Sequence, residues 1–460
     1  VKRLIRTALV ALTMAVPGLA QAQDYAVTGA TVATGDGSAP MENATVVVRG
    51  GRIAAVGTGI AVPAGVQAVD GTGMWVTPGL FAAITDLGLY DVLAVDESND
   101  IGAGNSPFNA ALDVAPAINP ASQDVVVSRE GGVTRATVAP DAESSIFAGQ
   151  GAVIDLGADR NAVTRPRAFQ FVELGEYGAR RAGGSRTSAH ALFRNALREA
   201  KAYGTRASIP GQSSSPDPMR SGDDLPIDPR LAGDDRAERG GDVLLTRFDA
   251  AALVPVVEGR QPLYVHVERA SDILSVLDLS REFPKLDLVI VGASEGWQVA
   301  NQIAAAGVPV IAQALMDLPV GFEELASTQS NVGRMKQAGV KVAIGPFDGD
   351  NHPRYAPQYA GNLVALTKIP GAAGLTWGEA LAAITSIPAE IAGMGGRAGV
   401  LKPGAVGDVV VWDGDPLEVT SAPVQVVIDG VVQPLDSHQS RLKQRYRDLD
   451  ESDLPKAYDW

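Results

Sequence analysis

Four histidines and no cysteine restrict the chemistry open to this 460-residue chain. Thiolate catalysis and cysteine-ligated zinc are excluded, which leaves imidazole and carboxylate as the groups able to hold a metal or move a proton. Three stretches concentrate them. "VTPGLFAAITDLG" at 76–88 opens with a turn feeding a buried strand, on which Ile84 and Asp86 share a face because i and i+2 point to the same side. "PLYVHVE" at 262–268 places His266 and Glu268 on one face by the same rule. "VKVAIGPFDGDNH" at 340–352 offers Asp348, with Asp350 as a second register, and then His352. Asp86, His266 and Asp348 would make an Asp/His/Asp set able to bind one zinc or manganese ion if folding unites them.

The other candidates read as structural. His190 lies in "SAHALFRNALREAKAY", where Leu192, Phe193, Ala196, Leu197 and Ala200 form the apolar surface of a helix, and His438 lies in a charged tail. Glu295 precedes the helical stretch "GWQVANQIAAAG", where an exposed acid in a first turn is favourable. "GAGNS" at 102–106 is not a strand-to-helix GxSxG nucleophile elbow, and "GGRAG" at 395–399 completes no phosphate or dinucleotide motif. Asp348 and Asp350 lack the spacing of an EF-hand loop.

Such residues need a scaffold, and 46% hydrophobic content over this length provides a full core. Near the start, "ATVVVRGGRIAAVG" at 44–57 alternates on either side of Gly50-Gly51, the pattern of a hairpin. Near the end, "VGDVVVWDGDP" and "VQVVIDGVVQ" supply similar strands, so the two ends are expected to share a small sheet domain. Between them, short Val/Ile/Ala strands alternate with helical stretches, which suggests a parallel sheet, open or closed into a barrel. Residues 203–242, rich in proline, glycine and acids, read as a long surface loop.

Lys2, Arg3 and Arg6 precede a short apolar run and the small-residue site Ala20-Gln21-Ala22, the order of an export signal. An exported chain, in the bacterial periplasm, is expected to begin near Gln23. Removing those three positive charges takes the formal charge from −15 to −18, termini ignored, which argues against nucleic acid as a partner. No membrane span is expected after cleavage.

The residues gathered here resemble the metal-dependent amidohydrolase superfamily, especially its exported imidazolonepropionase-like branch. The likeness runs from about residue 25 to 435 and is carried by "VTPGL" at 76–80, "GQGAVIDL" at 149–156, "PLYVHVERASDI" at 262–273, and "ALAAITSIPAEIAGMGGRAGVLKPGAVGDVVVWDGDPLEV" at 380–419. It implies a (β/α)8 TIM barrel with a β-sandwich built from both chain ends. The expected boundaries are a signal peptide at 1–22, sandwich at 23–76 and 400–435, barrel at 77–399 with its loop at 203–242, and a charged tail at 436–460.

The resemblance also implies a binuclear metal centre, and there this chain departs from the pattern. The two histidines of the first barrel strand are replaced by Ile84 and Asp86. His266 matches a later metal or substrate histidine, but the next strand ends in Val291 and Gly292 where another imidazole is expected. Asp348 is the nearest match to the final barrel acid, with Phe347 a competitor for that place. The expectation is therefore a noncatalytic amidohydrolase-like protein without a cofactor, serving as a structural subunit beside an active relative or as a homo-oligomer. The alternative is a modified hydrolase of a C–N bond, in an amide or cyclic amide, using one zinc or manganese at Asp86, His266 and Asp348.

Overall fold

The computed structural model describes residues 22–207, 243–347 and 352–447. Asp348 and Asp350, all but the last residue of the expected signal peptide, and positions 208–242 of the expected loop lie outside these residues. Positions 203–207 are not loop, because the helix Arg186–Ala207 runs through them.

Strands β1 (Tyr25–Val32), β2 (Met41–Arg49), β3 (Arg52–Thr58), β4 (Gln67–Asp70) and β5 (Trp75–Pro78) come from the first part of the chain. They form one sheet with three late strands whose ranges are Val409–Trp412, Pro423–Ile428 and Val431–Val432. The join is antiparallel, with Thr77 opposite Val410 and Val76 opposite Val411. The expected hairpin is present: Arg49 faces Arg52 across Gly50 and Gly51, whose positive φ values of 54° and 75° fit glycine. Alternating Val27, Val46, Val48, Val409 and Val411 bury one face of this sheet.

The second sheet contains β6 (Leu80–Thr85), β7 (Val133–Val138), β8 (Phe147–Asp155), β9 (Val163–Glu173), β10 (Leu263–Val267), β11 (Leu288–Gly292), β12 (Val310–Ala312) and β13 (Val342–Ile344), hydrogen-bonded in that order. It curls until its edges meet. Phe347 donates its backbone N–H to the Ile84 carbonyl at 2.7 Å, beside a parallel bridge between Thr85 and Phe347. The three late strands of the first sheet are accordingly β14, β15 and β16.

The barrel is not the all-parallel one expected. β8 runs antiparallel to both β7 and β9. The connections 139–146 and 156–162 are shorter than the roughly dozen residues a parallel crossover requires, so the chain turns back instead of passing over a helix. From β9 onward the strands are parallel and helices separate them, Ala270–Leu277 between β10 and β11 and Ala300–Ala306 between β11 and β12 among them.

Alternation along these strands decides what points inward. On β10, Tyr264 joins Phe169, Val291 and Ile311 inside the barrel, while Leu263, Val265 and Val267 pack in the larger core outside it. The Phe169 and Tyr264 rings stack with centroids 4.2 Å apart. One more step of the alternation brings His266 inside, at the carboxyl end of the strands. Among the described residues, no helix is long and apolar enough to cross a membrane.

Candidate functional site at the barrel mouth

β6, β9, β10 and β11 end around a cavity of about 80 Å³ lined by Asp86, Asp141, Glu173 and His266, with apolar walls that include Ile84 and Val291. Ile84 and Asp86 therefore do face one space, and His266 faces the same space from β10. The third member of the expected set, Asp348, lies outside the described residues. Its neighbour Phe347 is buried at the barrel closure, where its ring stacks on Tyr359 with centroids 6.0 Å apart.

His266 is held between two carboxylates. Nδ1 lies 2.7 Å from Glu173 Oε2, and Nε2 lies 2.9 Å from Glu268 Oε1. With both glutamates ionised, each can only accept, so both ring nitrogens donate and the ring is an imidazolium. Burial alone would drive its pKa down, but the charges and hydrogen bonds of Glu173 and then Glu268 outweigh burial and hold it well above the usual 6.5.

The outer oxygens are fixed as well. Glu173 Oε1 accepts the Gly175 N–H at 3.0 Å, and Glu268 Oε2 accepts the Ser294 N–H at 2.7 Å. The Glu–imidazolium–Glu group thus ties β9, β10 and the turn after β11 together. A second layer supports it: Arg186 bonds Asp272 at 2.9 Å and Glu323 at 2.8 Å, and Glu323 accepts the Glu176 N–H at 2.7 Å.

The described donors at this mouth are engaged with one another: His266 is bonded to both Glu173 and Glu268 rather than turned to an open coordination position. A metal would reach either ring nitrogen of His266 only by displacing a glutamate and the proton held there. Ile84 and Gly292 carry no donor atom. Among the described residues, no three histidine, aspartate or glutamate side chains are grouped to hold a metal ion.

The remaining candidates lie elsewhere. His352 sits 3.9 Å from Asp124 at the start of the helix Gln123–Glu130, and His190 lies 3.7 Å from Asp272. His438 begins the helix His438–Arg445. Glu295 is buried rather than an exposed first-turn acid, because its two oxygens accept the N–H groups of Ala270 and Ala326, each at 3.1 Å. Glu173 escaped the sequence reading. Its signal was "FQFVELG", a strand closing on an acid before glycine, and nothing local shows that its partner stands 93 positions further on.

A second cavity of about 360 Å³ opens beside the first and shares Pro346 with it. Gln313, Met316, Phe347 and Tyr359 are among its lining residues.

A profile of the amidohydrolase family matches residues 291–433. The protein called amidohydrolase tasK, from Hapsidospora irregularis, is 26% identical over a 363-residue alignment that covers 74% of this chain and 34% of that protein. The chain thus spans about a third of the length of the curated relative it matches. Among solved structures, an amidohydrolase from Thermotoga maritima MSB8 superposes with a TM-score of 0.72 at 23% identity, covering 89% of this chain and 99% of that one. A prolidase solved with N-methylphosphonate-L-proline gives a TM-score of 0.50 at 18% identity over 89% of this chain and 99% of its own.

Proposed function

We propose that this chain, whose fold is that of the amidohydrolase superfamily, is a noncatalytic member in which a partly buried Glu–imidazolium–Glu group stands where a metal centre would be. One observation carries this reading: both nitrogens of His266 are spent on Glu173 and Glu268, at 2.7 and 2.9 Å. A hydrolase of the metal-dependent kind needs a Lewis acid with an open position for water. Here the only described histidine at the mouth has both ring nitrogens engaged with glutamates.

The role we assign is that of an exported structural subunit paired with an active amidohydrolase-like chain, of the imidazolonepropionase-like branch that the motifs resemble. Leu318, Val320, Phe322 and Leu325 stand exposed on the segment after β12, and such a concentration of large apolar side chains favours a covered surface. The modified-hydrolase reading draws on Asp86 and His266 sharing one cavity, but it requires His266 to leave at least one glutamate before it can bind metal.

The test is elemental analysis of protein purified with zinc and manganese present, joined to native mass spectrometry from the source and assays on amides and cyclic amides. We expect substoichiometric metal, negligible hydrolysis and a co-purifying amidohydrolase-like chain. One tightly held metal per chain with hydrolysis of a C–N bond would overturn the noncatalytic reading. A monomer with no partner at physiological concentration would overturn the subunit role, and a homo-oligomer would replace the partner with a second copy.

A further inference from the structure

At the end of β11 the backbone turns sharply through two consecutive residues of positive φ, Gly292 at 90° and Ala293 at 52°. The turn has a clear effect: it aims the Ser294 N–H at Glu268 Oε2, 2.7 Å away. Backbone bonds from Ala293 to the Val267 carbonyl at 2.8 Å and from Glu295 to the Glu268 carbonyl at 3.0 Å hold it in place. The Glu268 carboxylate is thereby pressed against residue 292. A Cβ added there would lie well inside 3.0 Å of Glu268 Oε1 and 2.9 Å from His266 Nε2.

We propose that Glu268 and Gly292 form a steric interlock, in which the carboxylate that holds the His266 imidazolium fills the space any side chain on residue 292 would need. The inference rests on the reading that the imidazolium replaces a metal, and it adds which residue keeps the replacement in place. A metal-binding side chain at 292 and a carboxylate bonded to His266 at 268 exclude one another. Restoring a histidine at 292 alone therefore puts the new ring against Glu268 rather than into the cavity.

Glu268 cannot yield cheaply. Moving its carboxylate away from residue 292 breaks the bonds to Ser294 and to His266 together, leaving a partly buried His266 ring with one partner. The alternative movement, of the β11 end itself, strains a backbone that favours glycine whatever stands at 268. These two costs are separable by a double-mutant cycle, because backbone strain is common to both backgrounds and the contact is not.

The experiment is Gly292→Ala introduced into the full chain and into the Glu268→Ala variant, with urea midpoints measured for all four proteins. We expect Gly292→Ala to lower the midpoint at least twice as far in the unmodified background as in Glu268→Ala. Equal drops would overturn the interlock. If Glu268→Ala fails to fold, a crystal structure of Gly292→Ala decides. A Glu268 carboxylate moved off the Ser294 N–H is the expected result, and Glu268 left in place with both its bonds intact overturns the proposal. Metal content does not enter the cycle, so additive effects sink the interlock whether or not the functional reading survives.

Discussion

Arg135 on β7 and Asp408 at the approach to β14 form a buried two-point ion pair, with Nε and Nη2 reaching the two carboxylate oxygens at 2.7 and 3.3 Å. The same Nη2 reaches Asp429 at 2.7 Å, so one guanidinium bolts the barrel to the sheet made from both chain ends. Replacing Arg135 with methionine leaves Asp408 buried without its counter-charge. We expect a loss of about 3–5 kcal/mol in urea unfolding, and partial recovery when Asp408→Asn is added.

Asp155 lies in the same neighbourhood, and burial pushes its pKa up to about 6 against the opposing pull of the Gly157 N–H and Arg135. A carboxyl raised on folding binds its proton more tightly in the native state. Its contribution is therefore full below pH 3.8 and is lost as pH rises through about 6. Asp155→Asn keeps an acceptor for Gly157 and removes the ionisation. The variant should gain on the order of 3 kcal/mol over the unmodified protein above pH 6, and the gain should vanish below pH 3.8 in parallel denaturation series.

His266 gives the opposite end of the pH scale. Its pKa is raised above 6.5, so the stability it contributes is complete below pH 6.5 and declines as pH climbs through the folded value. His266→Gln removes the titrating ring and carries no charge at any pH. The difference in stability between the unmodified protein and this variant should be constant below pH 6.5 and shrink in the alkaline range. A difference that stays flat to high pH would count against a protonated ring.

Chelation supplies a third perturbation. On the proposal that His266 supplies the cation at the mouth, overnight treatment with EDTA should leave the thermal midpoint unchanged to within about 1 °C, and excess zinc should not raise it. Ligands that bind only the native state raise the midpoint by mass action, so a zinc-dependent increase would reveal a site after all.

Much of this architecture was legible in local pattern. The "VVVRGGRI" alternation predicted the β2–β3 hairpin, and "PLYVHVE" predicted β10 with His266 and Glu268 on a common side. The reversal of β8 was not, because the Val/Ile alternation of "GAVIDL" is the same in either direction and only the shortness of the flanking connections shows that no crossover intervenes. At the site, the loss at Ile84 was visible as a missing donor, whereas the partnership of Glu173 with His266 depends on β9 and β10 being neighbours. Val291 and Gly292 were read together as the place of a missing imidazole, and the need for glycine at 292 emerges only when the Glu268 carboxylate is seen beside it.

The pairing of β5 with β14 also dictates an order of events during synthesis. β1 to β5 leave the ribosome first, but the antiparallel partner of β5 follows more than 300 residues later. At the usual 5–20 residues per second, that edge waits for roughly 15 seconds to a minute. An open strand edge is a template for pairing with any other extended chain, so the first fifth of this protein must pass through its growth with a sticky margin exposed. Arg135 shares the wait, since Asp408 arrives only with the same late segment. The chain can therefore lock its two sheets together only after β14 has emerged, and a messenger that stalls before β14 yields a nascent chain with an uncovered edge and an Arg135 still without its carboxylate.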